Sequence, residues 1–202
     1  MAYVLGFFAA DGSMLENNRG AKFIEFKICD LDLLEEIRTV LGSNHKISKR
    51  VFSNKNWKDI YRLQIGSKDM FNDLQKLGFS QAKTKNLMFP KVPKKYLNDF
   101  IRGYFDGDGC VSYGCYSVSN SKKKKFVFST RFTCGDKSFL EILKNNLKHE
   151  LKGGFIITKE RGYELVYSHK DSLALFDILY NNVPRCIFLD RKYNKFKEIQ
   201  RI

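Results

Sequence analysis

The 202-residue sequence has little of what disulfide-rich, zinc-binding and membrane proteins are built from. It contains three histidines and five cysteines, an odd number without a CxxC pair, and we see no secretory signal pattern ahead of them. We therefore expect reduced cysteines and an intracellular protein, either cytoplasmic or organellar. Because no run of about 18 uncharged apolar residues is present, we expect no membrane-spanning helix.

Acidic residues are few relative to basic ones. The chain has 22 Asp and Glu against 36 Lys and Arg, a net charge of +14, and the excess lies in both halves rather than in one tail. A domain this basic attracts a polyanion. We expect nucleic acid rather than an anionic membrane surface, because no strongly amphipathic basic helix is evident.

One nine-residue pattern occurs twice, at 4–12 (VLGFFAADG) and at 101–109 (IRGYFDGDG). Each copy is typical of the end of an apolar helix, with two small residues four positions apart and then Asp-Gly. Residues four apart share one helix face, so each copy presents a smooth strip, and two such strips can pack nearly backbone to backbone. The strips consist of Gly6 and Ala10 in the first copy, and of Gly103 and Gly107 in the second.

If the two helices run parallel, Asp11 and Asp108 come together at their ends. A helix C-terminus already carries partial negative charge, and two carboxylates there also repel each other. A hard divalent cation such as Mg²⁺ fits this gap. The alternative is that Asp-Gly merely ends each helix, but two copies with the same spacing favour the metal.

At these residues the chain resembles the LAGLIDADG homing endonuclease family. The second copy fits better, since Asp106 and Asp108 fill both acidic positions, whereas Ala9 takes the earlier acidic position of the first copy. The resemblance implies a single-chain, two-repeat enzyme that cuts both strands of a long DNA site with Mg²⁺ or Mn²⁺ and leaves 3′ overhangs. The implied metal ligands are the carboxylates of Asp11 and Asp108 and the backbone carbonyls of Ala10 and Gly107.

The family also places a basic residue near each metal. By position after the last helix of each repeat, the candidates are Lys83 or Lys85 in the first half and Arg191 or Lys192 in the second. We predict Lys83 and Lys192 as catalytic residues. A lysine without a catalytic part is the alternative at each position.

The remainder of the chain repeats with a period of about 100 residues. Residues 136–143 match 30–37 in cap and apolar spacing, and residues 165–171 match 63–69. We predict an α+β fold of two pseudo-symmetric αββαββα repeats, at 1–96 with a linker and at 97–202. The resemblance implies curved antiparallel sheets that form a DNA-binding saddle, with the motif helices packed at the centre.

Alternation of apolar and polar residues predicts strands with one apolar face in the core. Their polar face could enter the major groove of DNA. We predict strands at 22–28, 46–52 and 58–65, helices at 31–41 and 68–77, and a strand in which Phe126, Phe128, Thr130 and Phe132 alternate. An ordinary solvated sheet face is the alternative. The predicted DNA-binding residues are Lys27, Arg50, Lys58, Arg62, Arg131 and Lys159 on strands or strand ends, and Lys123 and Lys124 in a four-lysine loop.

These features favour a monomeric, metal-dependent, intron-encoded DNA endonuclease with internal pseudo-two-fold symmetry. Two other functions stay open. One is an RNA-splicing maturase that binds intron RNA, or a DNA-binding protein of the same fold that does not cleave. The other is a non-catalytic basic interaction domain, which the repeated motif disfavours.

Overall fold

The structure is a computed structural model that describes residues 1–54, 56–81, 87–117, 124–181 and 187–200, the last without its side chain. Within these ranges no helix is long and apolar enough to span a membrane.

The first half of the chain alternates helices with strand pairs. The elements are α1 (Ala2–Asp11), β1 (Gly12–Glu16), β2 (Lys22–Ile28), α2 (Leu31–Val40), β3 (Ile47–Arg50), β4 (Ile60–Gly66) and α3 (Lys68–Lys76). Strands β1 to β4 form one antiparallel sheet in the order β1-β2-β4-β3. The strands predicted at 46–52 and 58–65 are shorter than expected, because β3 ends where Arg50 pairs with Ile60 and the chain then turns back.

The second half repeats this order after a 3-10 turn at Lys94–Tyr96. Its elements are α4 (Leu97–Asp108), β5 (Gly109–Ser117), β6 (Lys124–Cys134), α5 (Lys137–Leu147), β7 (Phe155–Lys159), β8 (Gly162–Ser168), α6 (His169–Tyr180) and α7 (Asp190–Gln200). The second sheet has the order β5-β6-β8-β7, which matches that of the first sheet. The predicted α+β fold of two αββαββα repeats is therefore confirmed.

Helix α7 was not predicted. Its inward positions are Lys192, Phe196 and Ile199, at spacings of four and three residues, and all three are buried. This helical pattern was present in the sequence, but it is set among charged residues that hide it.

The chain divides into two compact units that do not follow the sequence repeats. One contains residues 1–83, 90–107 and 185–189, and the other contains 84–89, 108–184 and 190–202. Helix α4 as far as Gly107 thus packs within the first unit. The repeats at 1–96 and 97–202 stay a prediction about the sequence.

Alternation fixes which face of each sheet is buried. On β2 and β4 the residues Ile24, Phe26, Leu63 and Ile65 are buried, as the period of two predicts. Helix starts also follow the sequence: the Ser67 hydroxyl accepts a hydrogen bond from the Met70 N–H at 3.2 Å. The Asp136 carboxylate does the same for the N–H of Ser138 at 2.8 Å.

Helices α1 and α4 touch at their backbones through the predicted strips. A Cβ added to Gly6 would lie 2.8 Å from the carbonyl carbon of Phe100, and one added to Gly103 would lie 2.8 Å from the backbone nitrogen of Phe7. Further along, a Cβ on Gly107 would overlap the methyl group of Ala10. Because the contacting positions increase together along both helices, α1 and α4 run parallel.

We expect Gly103→Ala to lower the free energy of unfolding by about 2–3 kcal/mol, although alanine gains about 1 kcal/mol of helix propensity. The added methyl group meets backbone atoms of Tyr3 and Phe7 that no rotamer change can move. Urea unfolding followed by circular dichroism measures the difference.

Gly66→Ala is the matched control, because its added methyl group would lie 3.5 Å from the Phe23 ring, an ordinary contact. Equal stability of the Gly103→Ala and Gly66→Ala proteins would contradict the backbone contact.

Candidate active site and nucleic-acid interface

Both motif helices end in aspartate. Asp11 is the last residue of α1 and is exposed, Asp108 is the last residue of α4 and is half-buried, and neither helix has a basic residue in its last turn. Gly12 is extended rather than left-handed, with φ −75°, and a Cβ there would collide with the Phe8 ring. Gly12 therefore makes room for packing and is not a left-handed helix cap.

The Asp11 carboxylate lies against the backbone of Gly107. A Cβ on Gly107 would lie 3.3 Å from Asp11 Oδ2 and would overlap Ala10, so only glycine permits this close approach. A carboxylate this close to the backbone of a second helix end suits a hard divalent cation, which takes oxygen ligands from carboxylates, carbonyls and water. The pairing of Asp11 with Asp108 stays a prediction.

No three His, Cys, Asp or Glu side chains are grouped to hold a metal within the ranges that the structure describes. A hard divalent cation at the motif helices would take carboxylate, backbone carbonyl and water oxygens as its ligands. That is the ligand set implied by the resemblance, and such an open set is typical of Mg²⁺ sites.

The earlier acid of the second motif points inward, which the sequence did not reveal. Asp106 is 1% exposed; its Oδ2 accepts the Tyr3 O–H at 2.7 Å and the Leu189 N–H at 2.8 Å. Arg102, one turn earlier, donates from Nε to the carbonyl of Ile187 at 3.3 Å. Arg102 also pairs with Asp99 at 2.6 Å.

Of the basic residues predicted near the metals, Lys83 and Lys85 lie outside the described residues. In the second unit Arg191 is exposed, whereas Lys192 is 5% exposed. Lysine is seldom so fully buried. Burial thus distinguishes Lys192 from the neighbouring candidate Arg191, a distinction that the sequence could not provide.

Helix α7 lies beside β5, the strand that begins directly after Asp108. The Tyr113 O–H donates to the Glu198 carboxylate, and this bond raises the pKa of Tyr113. Lys195 Nζ lies 3.5 Å from the carbonyl of Val111. Helix α7 therefore packs along β5, with Glu198 toward Tyr113 and Lys195 toward Val111.

The first sheet has a polar face opposite its core. The Glu25 side chain, 2% exposed, lies 2.6 Å from Lys27 Nζ and 3.8 Å from Arg62 Nη1. Gln64 Nε2 donates to Glu25 at 3.3 Å. Arg50 shares this face, since Ser48 pairs with Arg62 and strand residues two apart point the same way.

Two other basic residues of this region differ in position. Lys58 precedes β4 and is exposed. Lys49 points to the opposite face from Arg50 and pairs with Asp59 at 2.7 Å; the hydrogen bond and the charge of Asp59 raise the pKa of Lys49.

The second sheet has a corresponding polar face. Glu164 lies 3.6 Å from Lys159 and 4.0 Å from Arg131, and its Oε2 accepts no hydrogen bond among the described residues. Lys124 is exposed at the start of β6, and Lys123 lies outside the described residues. Five of the eight predicted residues thus lie on the two polar faces, namely Lys27, Arg50, Arg62, Arg131 and Lys159. Which members of the set touch DNA stays a prediction.

Comparison with known proteins agrees with this architecture. Residues 1–77 match the family described as LAGLIDADG-like domain. An uncharacterized protein of Methanocaldococcus jannaschii, MJ0398, is 24% identical over 187 residues, which cover 88% of this chain and 60% of that protein. The chain therefore spans about three fifths of this relative.

Solved structures match along almost the whole chain. The meganuclease I-SmaMI bound to uncleavable DNA has a TM-score of 0.66 at 14% identity, covering 99% of this chain and 87% of that chain. I-AabMI, a LAGLIDADG meganuclease bound to uncleaved DNA, has a TM-score of 0.66 at 15% identity, covering 98% and 88%. I-SmaMI with uncleaved DNA and calcium ions has a TM-score of 0.66 at 15% identity, covering 99% and 89%.

Proposed function

We infer that this chain, which has a LAGLIDADG-like domain in its first 77 residues and the LAGLIDADG meganuclease fold throughout, is a site-specific DNA endonuclease. The family model over residues 1–77, which contain the first motif, supports the family predicted from the two motifs. The observation that carries the activity is the parallel pair of motif helices, in which Asp11 lies against the bare backbone of Gly107. The net charge of +14 supports DNA as the partner.

We propose Asp11 and Asp108, with the backbone carbonyls of Ala10 and Gly107, as the ligands of Mg²⁺ or Mn²⁺. Such ions, when bound, lower the pKa of a water and stabilise charge on phosphoryl oxygens. The chain's own contribution is to hold two carboxylates at the negative ends of two helices whose last turns contain no basic residue. The calcium ions of the similar I-SmaMI structure are consistent with this proposal.

Lys192 is the proposed basic residue of the second half. Its ammonium group would donate hydrogen bonds to the attacking water or to a phosphate oxygen near Asp108. Two observations support this role: its burial and the packing of α7 beside β5, the strand that follows Asp108. For Lys83 in the first half, the support is its position in the sequence.

The two polar faces are the proposed DNA surface. Lys27, Arg50 and Arg62 on the first, and Arg131 and Lys159 on the second, would contact bases and phosphates of the major groove. Glu25 restrains Lys27 and Arg62, so less side-chain entropy is lost on binding. Lys58, Lys123 and Lys124 would contact phosphates. A single chain with two such halves would make a staggered cut with 3′ overhangs.

The test is cleavage of a plasmid library with randomised sites, in Mg²⁺, in Ca²⁺ and in EDTA. We expect discrete cuts at one long sequence in Mg²⁺ alone. Absence of cuts together with retention of DNA or of a structured intron RNA on a filter would favour the binding or maturase function instead.

Substitution at either proposed metal ligand should separate cleavage from binding. We expect Asp11→Asn and Asp108→Asn each to lower the rate of double-strand cleavage by at least about 100-fold, because an amide is a poorer ligand of a hard cation. DNA affinity in Ca²⁺ should stay within about threefold, since neither residue lies on a polar face.

The control for this pair is Asp73→Asn, an exposed carboxylate in a surface ion pair with Lys76. It removes the same charge far along the chain from the motifs and should leave cleavage unchanged. Full cutting by both motif variants would refute the metal site.

Adjacent residues of β3 test the DNA surface. Arg50 lies on the first polar face and Lys49 on the opposite face, so Arg50→Gln and Lys49→Gln remove one charge each from opposite sides. We expect Arg50→Gln to weaken DNA binding and to reduce the slope of log affinity against log salt by about 1. Equal effects from both variants, measured by fluorescence anisotropy, would argue against this face.

A further inference from the structure

Two buried side chains of α4 hold the chain just before α7. Arg102 Nε donates to the carbonyl of Ile187, and Asp106 Oδ2 accepts the N–H of Leu189. Arg102 and Asp106 are four residues apart and share one helix face. The backbone of 187–189 is thus bonded to side chains of a single helix.

The anchored segment and the anchoring helix both lead to the proposed active site. Leu189 is buried, α7 begins at the next residue, and Lys192 follows within its first turn. In the other direction α4 ends at Asp108, two residues after Asp106. The same helix therefore carries the anchor and the proposed metal ligand.

Burying the charges of Arg102 and Asp106 costs desolvation free energy. Hydrogen-bonding partners offset this cost only where all of them are present. Tyr3 contributes to both: its O–H donates to Asp106, and its ring centroid lies 5.4 Å from the Arg102 guanidinium carbon. Helix packing itself does not require these residues. The first motif has Leu5 and Ala9 at the corresponding positions, and Phe100 corresponds to Tyr3.

We propose that Asp106 and Arg102 are positioning residues: by anchoring residues 187–189, they hold Lys192 where it can take part in the reaction at Asp108. The first motif, with Leu5 and Ala9 at these positions, works without such anchors. Cleavage of one DNA strand should therefore depend on Asp106 far more than cleavage of the other. The strand asymmetry rests on the proposed function, whereas the positioning of Lys192 can be measured without it.

The first experiment is strand-resolved cleavage of an end-labelled duplex carrying the identified site. We expect Asp106→Ala, which installs the residue of the first motif, to slow one strand by on the order of 10- to 100-fold. The other strand should change by about twofold or less, so that nicked duplex accumulates. A purely structural defect would slow both strands together.

The matched control is Ser172→Ala, which also removes buried hydrogen bonds in the chain, to Thr130 and to the carbonyl of Tyr167. It should destabilise the protein without favouring either strand. If Asp106→Ala does not fold, Asp106→Asn keeps the shape and one acceptor oxygen, and Arg102→Leu installs the other residue of the first motif. Each should give the same strand preference.

The second experiment needs neither metal nor DNA. Lys192 is 5% exposed, so acetic anhydride should label it slowly in the unaltered protein. In Asp106→Ala we expect its labelling, measured by mass spectrometry, to approach that of exposed Lys148, whereas Ser172→Ala should leave Lys192 protected.

The two readouts separate the two proposals. If the unaltered protein cuts neither strand, but Asp106→Ala still raises the labelling of Lys192, the endonuclease function is refuted and the positioning role is retained. Continued protection of Lys192 in the folded Asp106→Ala protein, or equal slowing of both strands, would overturn the positioning role.

Discussion

The backbone contact between α1 and α4 is the constraint on which the candidate site depends. Gly6 and Gly103 leave no room for a Cβ against the facing helix, so the helices approach more closely than side chains normally permit. This approach sets Ala10 and Asp11 against Gly107. Each helix also runs directly into the first strand of a sheet.

The polar faces show that the two repeats share a geometry rather than a set of residues. Glu25 on β2 pairs diagonally with Arg62 on β4, while Arg131 on β6 pairs diagonally with Glu164 on β8. The strands correspond, but the charges are exchanged. A cross-strand pair depends on the separation of opposite charges and not on which strand carries which, so this exchange leaves the sheet intact while changing what each face presents to a partner.

Much of this could be predicted from the sequence, because it depends on local rules. Period-two alternation placed Ile24 and Phe26 in the core, and the helix predicted to begin at residue 68 is capped by Ser67. The burial of Glu25 could not be predicted, because alternation assigns it to the polar face and its partner Arg62 arrives on another strand. Asp106 was missed for a similar reason: its partner Leu189 lies 83 positions away.

The buried polar set around Asp106 also explains why the two motifs differ at several positions together. A Tyr3 hydroxyl without Asp106 would be a buried donor without its acceptor, at a cost of about 1–3 kcal/mol. Asp106 without Tyr3 and the Leu189 N–H would lose hydrogen bonds that offset its desolvation. Intermediate combinations are therefore less stable than either complete set. At the corresponding positions of the other motif pair, Ala9 replaces Asp106 and Phe100 replaces Tyr3, and these two residues form the complete apolar set.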